Sequence, residues 1–550
     1  MRRNKWLAGV LIVSLILSIF MSNVSVTLAN NISSSESSNS VNDQNQTSKP
    51  SIKVLYSDYN TISPWAVDAI QQATNESIIQ GSNGKFNPKS SITRAEFTKI
   101  LVALLNLSTD IEPSISFGDV TTKDWFYPFV NVAYQNGLIN GYNNKFNPQA
   151  TITREEMAVI IARALKLTTD VSTSSIKDID KVSSWAKLDV EAVVALGIIV
   201  GDATGFNPQA AVTREMAAVV AVRSYLYKQD TDAYIASLEV TKINNQIQKT
   251  AKFLLSSVTD PVLASVGGDW TVFGLARSGQ QINQAYYNNY YGNVEQTLKD
   301  KAGKLHNVKY TEYDRVILAL TALGKDIKDV AGYDLRKPLA DYETLIKQGI
   351  NGPIFALIAL DSNNYEIPIV EGVKTQTTRE LLIQFILDRE ISGGGWALGS
   401  DPTAADTDIT AMAIQGLTPY YKTDAKVKSA VDRGLKWLAN ELQSDGAYTS
   451  WGAANSESIA QVIVALTGLG INPDKDTRFI KHGESIVDAL LGYTASNGGF
   501  YHVKSGGSDN GGAKPGEVDL MATDQAFYAL VSYERFITNK NRLYDMTDVK

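Results

Sequence analysis

Three short stretches decide how this chain reads: "SITRAEF" (91–97), "TITREEM" (151–157) and "AVTREMA" (211–217). Thr93 and Glu96 have the spacing of a helix capping box, in which the threonine caps the first turn and the glutamate reaches back to it. Arg94 then falls at the first helical position, where the helix dipole is positive and a cation costs about 0.3–1 kcal/mol. Arg154 and Arg214 repeat that placement. An arginine set three times at the unfavourable end of a helix needs a reason other than helix stability.

Working outward, the sixty-residue period extends from about 55 to 227. Trp65, Trp125 and Trp185 keep it, as do Gly81, Gly141 and Gly201. So do the blocks "GKFNPKSSITRAE", "NKFNPQATITREE" and "TGFNPQAAVTREM", and Asp58, Asp119 and Asp178 follow with a slip of one. Each unit reads as helix, loop, helix. Ser63 and Pro64 suit the N-cap and first position of a helix through about Ser77. Gly137 and Gly197 fall where a left-handed C-cap belongs, with Ser77 in that place in the first unit. The second helices start at Thr93, Thr153 and Thr213, and Phe97, Ile100, Leu101 and Leu104 share one apolar face. One unit of this size buries too little to stand alone, so three pack together.

The region resembles three surface-layer homology (SLH) modules, which hold proteins on certain bacterial cell walls. The family's Thr-Arg-Ala-Glu signature maps onto Thr93–Glu96. It maps onto Thr153–Glu156 with Glu155 for alanine, and onto Thr213–Met216 with Glu215 for alanine and no final glutamate. The resemblance implies a pseudo-threefold helical bundle whose grooves bind secondary cell-wall polysaccharide, often pyruvylated. A helix N-terminus with free amides suits an anion, and arginine adds a planar fork for a carboxylate. Arg94, Arg154 and Arg214, with Thr93, Thr153 and Thr213, are therefore expected to meet the polymer's acid groups. The competing reading pairs the arginines with acidic residues between modules. Trp65, Trp125 and Trp185 either stack on sugars or belong to the core. Without its glutamate, the third module is expected to have a weaker or purely structural groove.

The chain has 550 residues and a formal net charge of −7. With no basic tract beyond the extreme N-terminus, this argues against a nucleic-acid partner. Residues 1–29 read as a secretory signal: a basic start, an apolar run from Trp6 to Phe20, and small residues Thr27 and Ala29 before the expected cleavage. No later segment is apolar enough to cross a bilayer, so the mature form is expected to carry no membrane span. Residues 30–54 form a Ser/Asn-rich linker. There is no cysteine, and the three histidines, His306, His482 and His502, are scattered and read as surface residues. No metal site and no cofactor are expected.

From about 236 to 550, apolar residues recur at helical spacing in "DRVILALTALGKD", "INGPIFALIALDS", "RELLIQFILDRE", "ITAMAIQGL" and "IAQVIVALTGLG". A second repeat places "GGW" at 394–396, "GAY" at 446–448 and "GGF" at 498–500, each before a polar loop and a helix. Glycines there let the chain turn sharply, and the aromatic plugs the gap between helical hairpins. Together with "SGGGWALGSDPTAADTDITAMA", "NSESIAQVIVALTGLGINPDKDTRF" and "MATDQAFYALVSYERF", these segments resemble the α/α toroid superfamily. That superfamily contains terpenoid cyclases, protein prenyltransferases and cobalamin carriers, and the likeness is nearest to secreted bacterial prenyltransferase-like domains. The cyclase string Asp-x-Asp-Asp-Thr is not matched by "ADTDIT" (405–410), and the prenyltransferase zinc ligands include a cysteine that is missing here.

Acids do gather near the glycine-aromatic loops: Asp406, Asp408, Glu457, Glu517, Asp519 and Asp524. They read either as helix caps or as paired carboxylates able to cleave a glycosidic bond, with Asp406, Asp408 and Asp524 as the weak catalytic candidates. Trp396, Tyr448, Trp451 and Phe500 are the candidates for lining a cavity, although core packing fits Trp396 and Phe500. The loop 504–519 is either a lid or an insertion.

The expected architecture is thus all-α. It has a signal (1–29), a linker (30–54), SLH modules at 55–110, 111–170 and 171–227, and an α/α toroid at 236–550. The expected function is non-covalent anchoring to wall polysaccharide, with the toroid binding a small apolar or amphipathic ligand or a glycan. A carbohydrate-active enzyme and a structural surface-layer component are the alternatives.

Overall fold

The computed structural model describes residues 49–112, 114, 117–167, 176–400 and 402–550. The signal at 1–29 and the linker up to residue 48 lie outside the described residues. The chain divides into two compact units, Met1–Thr241 and Lys242–Lys550. Both are mainly helical, and each has its own hydrophobic cluster.

In the first unit each sixty-residue repeat supplies two helices: α1 (Val67–Asn75) and α2 (Arg94–Leu105), α3 (Tyr127–Gln135) and α4 (Arg154–Leu165), α5 (Lys187–Ala195) and α6 (Arg214–Gln229). The second helix of each repeat packs on the first helix of the next: α2 on α3, α4 on α5, and α6 back on α1. The closure is also written in the backbone. Ile92 N–H donates to Val212 O (2.9 Å), Val212 to Ile152 O (3.0 Å) and Ile152 to Ile92 O (3.2 Å). All three side chains are fully buried, so the threefold centre is an apolar plug with its backbone groups satisfied.

The caps follow the expected pattern with one change. Capping boxes close on Thr93–Glu96 and Thr153–Glu156, while Thr213 caps alone. Gly137 and Gly197 take left-handed conformations (φ 67° and 59°), and Ser77 takes the same one (φ 57°). Ser63 makes no side-chain cap; the chain passes through a 3₁₀ turn, Pro64–Ala66, before α1 starts. The carboxylate of Glu215 accepts from the Ser63 N–H instead (3.1 Å). Asp58, Asp119 and Asp178 each accept two backbone N–H bonds from the Phe-Asn of their own loop and so pin it.

In the second unit, helices pack in succession. α8 (Asp269–Arg277), α10 (Thr311–Ala322), α11 (Asn351–Asp361), α13 (Thr407–Leu417), α15 (Ser456–Gly468) and α17 (Leu520–Ile537) each contact the next, and α17 contacts α8. Between them in sequence come α9 (Gln284–Asp300), α12 (Arg379–Leu387), α14 (Ala425–Glu441) and α16 (Ile486–Leu491). The long helix α7 (Thr231–Ser257) precedes α8. α12, α14 and α16 pack against α11, α13 and α15 respectively. Among the described residues the strands are three two-stranded antiparallel ribbons of two residues a side.

The glycine-aromatic loops are plugs. Trp396, Tyr448 and Phe500 are fully buried, which corrects their candidacy as cavity residues. Trp396 Nε1–H donates to Ile386 O (2.8 Å), and its ring packs where Gly434 offers no side chain. The backbone N–H of Trp396 donates to the Thr410 hydroxyl, and that of Phe500 to the Thr523 hydroxyl, each at 2.9 Å. The same aromatic is thus tied to the next helix in two repeats. Trp451, in contrast, stands exposed on a turn.

Candidate functional sites

The arginines leave their own helices. Arg94 Nε donates to Phe146 O (3.0 Å) and Nη2 to Asn140 O (3.2 Å), both in the following repeat. Arg154 does the same to Phe206 O (2.7 Å) and Val200 O (2.8 Å), and Arg214 to Phe86 O (2.9 Å) and Gln80 O (3.0 Å). Each guanidinium also lies over the phenylalanine of the Phe-Asn-Pro block it grips, 5.0–5.3 Å from the ring centroid. An arginine at the first helical position therefore clasps the next repeat's loop, and three clasps close a ring.

The helix-end amides are used as well. Arg94 N–H donates to Ala150 O, Ala95 N–H to Pro148 O, and Glu96 N–H to the Thr93 hydroxyl. The same pattern recurs at Arg154, Glu155 and Glu156, and at Arg214, Glu215 and Met216. The expectation of free amides at these helix starts is overturned: neighbouring repeats consume them. Thr93, Thr153 and Thr213 are spent on capping in the same way.

What distinguishes the three clasps is the remaining guanidinium nitrogen. Arg94 Nη1 is 3.2 Å from Glu156 Oε1, and Arg214 Nη1 is 3.6 Å from Glu96 Oε1. By the sixty-residue repeat, the residue corresponding to those glutamates for Arg154 is Met216. Arg154 is 8 % exposed, and burial lowers its pKa, opposed by Asp202 and Asp178. Trp125 and Trp185 are 52 % and 58 % exposed, and Trp65 is half-buried. Two of the three tryptophans are thus surface platforms and not core residues. The ammonium of Lys99 lies over Trp125 at 5.9 Å. Glu155 and Glu215, the two replacements for alanine, reach across to Ser183 and Ser63 at the starts of neighbouring repeats.

In the second unit the acids separate by role. Asp406 and Asp519 are N-caps. Asp524 is a buried carboxyl and Asp408 a half-buried one, and removal from water pushes them up to about 7 and about 6. Glu457 pairs with His502 (2.8 Å), and that carboxylate raises the imidazole to about 9; His502 is therefore drawn inward and not a free surface residue. A cavity of about 460 Å³ is bordered by Asp524 together with Trp270, Arg315, Asn351, Phe355 and Met521, among others. Of these only Asp524 stands out in the sequence. Trp270 and Arg315 lie in ordinary amphipathic helices. The adjoining Asp269 opens α8, where an acid reads as a dipole-favoured residue. The one available signal was the acid-aromatic pair Asp269-Trp270 at a helix start.

The three repeats each match a known domain family. The S-layer homology domain matches residues 55–98, 116–158 and 175–218. The chain is 35% identical over 208 residues to the surface-layer 125 kDa protein of Lysinibacillus sphaericus, covering 37% of this chain and 17% of that protein. It is 34% identical over 163 residues to exoglucanase XynX of Acetivibrio thermocellus, covering 28% and 15%. It is 32% identical over 158 residues to the S-layer protein sap of Bacillus anthracis, covering 28% and 19%. The chain thus spans less than a fifth of the length of these relatives. With three S-layer homology domains and such relatives, this is a secreted protein held at the cell-wall surface through those domains. Among the described residues no helix is long and apolar enough to cross a membrane.

Proposed function

We propose that the first unit binds an acidic, pyruvate-bearing secondary cell-wall polysaccharide. We further propose that the ring of helices in the second unit is an α/α toroid that presents a cavity for a small apolar or amphipathic ligand. The observation that carries the anchoring is the asymmetry among the arginines. Two guanidinium groups face a glutamate of the protein itself, whereas the residue that corresponds to those glutamates for Arg154 is Met216, which puts no competing carboxylate at that place. In this reading the missing glutamate, expected from the sequence to weaken the third module, removes a competing carboxylate from Arg154. Exposed Trp125 and Trp185 supply flat faces of the kind that stack on sugar rings. The relatives bear names as different as S-layer protein and exoglucanase, which supports reading the shared segment as an attachment device.

The test is sedimentation of the full secreted chain with purified wall sacculi, before and after acid removal of pyruvate. Met216→Glu restores the third capping box, so it is expected to stabilise the helix by about 0.5–1 kcal/mol. It also places a carboxylate against Arg154, so wall binding is expected to fall at least tenfold. Binding unchanged by this substitution and by depyruvylation overturns the reading.

A further inference from the structure

The cavity of the second unit has an uneven charge balance. Arg315 is the one cation among the residues that border it. Its Nη2 is 2.5 Å from Glu312 Oε2, and its Nε lies 3.6 Å from Asp269 Oδ2. Among the described residues no cation pairs with Asp524, 4 % exposed: its Oδ1 accepts from the Thr271 hydroxyl at 2.6 Å, and the Gly267 backbone also hydrogen-bonds the carboxyl. Asn351 also borders the cavity, and its Oδ1 is buried with no donor. Acceptors and acids are therefore in excess. An anionic ligand would meet Asp524 beside a guanidinium already paired with Glu312 and Asp269, and a neutral one would offer an ionised Asp524 no counter-charge.

Beside Ser265, Thr311, Gln348 and Gln525, the remaining wall carries aromatic and apolar side chains. Trp270 lies 6.1 Å from Phe355 and 5.5 Å from Tyr528, ring centre to ring centre. Faces of this kind favour a cation over the ring. At the mouth, Val266 and Met521 are exposed at 60 % and 50 %, apolar side chains where solvent begins.

We propose that this cavity is a receptor for a small organic cation with an apolar tail, an alkylamine in chemical class, its ammonium against Asp524 and Asn351 and its tail passing Trp270 and Phe355 toward Val266 and Met521. The proposal rests on the reading of the ring as a ligand-binding module and names the ligand class. Burial holds the Asp524 carboxyl up to about 7, aided by Asp519 on its own helix and Asp269 on α8. Tyr286 on α9 and Tyr528 one turn along α17 face it as neutral groups. A bound cation favours the ionised carboxylate, so amine binding releases a proton below pH 7 and tightens as pH rises.

The experiment is isothermal titration of the full secreted chain with hexylamine, hexanoate and hexyl glucoside. Hexylamine is expected to bind about tenfold more tightly at pH 8 than at pH 6, since one carboxyl must lose its proton. Asp524→Asn is expected to weaken it at least tenfold at pH 8. Substitutions at the exposed mouth do not disturb the core: Met521→Glu is expected to tighten hexylamine severalfold and Met521→Lys to weaken it. Equal binding of hexanoate or hexyl glucoside, with no response to charge at Met521, overturns the cation assignment while leaving a ligand-binding ring. Failure of all three probes overturns the ring's ligand-binding role as well.

Discussion

Arg94 illustrates how a residue unfavourable to its own helix stabilises the whole unit. The dipole penalty of about 0.3–1 kcal/mol is set against two charge-assisted bonds to carbonyls, each contributing about 1.5–3 kcal/mol. Arg94→Ala leaves Phe146 O and Asn140 O without those donors. The unit is expected to lose about 2–4 kcal/mol. Arg94→Lys is expected to recover little, because a point charge cannot span both carbonyls and cover the ring. Urea unfolding followed by circular dichroism measures both. Ser77 gives a prediction of opposite sign. It holds a left-handed conformation that Gly137 and Gly197 hold without a Cβ penalty. Ser77→Gly is expected to stabilise by about 0.5–1 kcal/mol.

At the scale of elements, local chemistry was readable and reach was not. The Thr-x-x-Glu spacing announced the capping boxes, and the 3.6-residue pattern announced the buried face of α2, because both act within one or two turns. The arginine's targets lie some fifty residues away in sequence, or 128 for Arg214 to Phe86. No local pattern encodes them, so the free-amide socket was the natural but incorrect expectation. The acids split for the same reason. Asp406 and Asp519 cap as their positions suggest, whereas the depth of Asp408 and Asp524 follows from how the ring closes. Glycine-aromatic periodicity fits a plug and a cavity mouth equally, and only full burial of Trp396, Tyr448 and Phe500 decides it. Glu215 tests the reach directly. Its carboxylate accepts from Ser63 N–H and Oγ–H at 3.1 Å and pairs with Lys89 at 2.6 Å. Glu215→Ala leaves the Ser63 amide without this acceptor, and a loss of about 1–3 kcal/mol is expected in the same unfolding assay.

At the scale of the whole molecule, both units carry carboxyls shifted up and down, and the most strongly raised ones lie in the second. In the first unit, hydrogen bonds hold Asp178 and Asp202 below the usual carboxylate range despite burial. Their contribution is present above the ordinary carboxyl value and fades only in acid below it. In the second unit, burial raises Asp269 and Asp408 to about 6 and Asp524 to about 7, and Glu457 raises His502 to about 9. A raised folded-state pKa favours the protonated form, so that stability is full below the unfolded-state value and is lost as pH rises through the folded-state one. For the three aspartates the loss falls between about pH 4 and 7, and for His502 between about pH 6.5 and 9. Moving from pH 8.5 to 5.5 is therefore expected to stabilise the second unit by about 4–6 kcal/mol and to change the first much less. Each unit has its own core, so calorimetry of the full chain is expected to show two transitions, the first unit's being the one Arg94→Ala lowers. The other transition should rise by several degrees on acidification, and Asp524→Asn should remove about a third of that rise, since it deletes the most shifted of the three carboxyls while His502 still contributes. A transition that stays fixed or falls between pH 8.5 and 5.5 would mean that the buried acids are already neutralised by cations within the ring, which would remove the charge excess that favours an amine in its cavity.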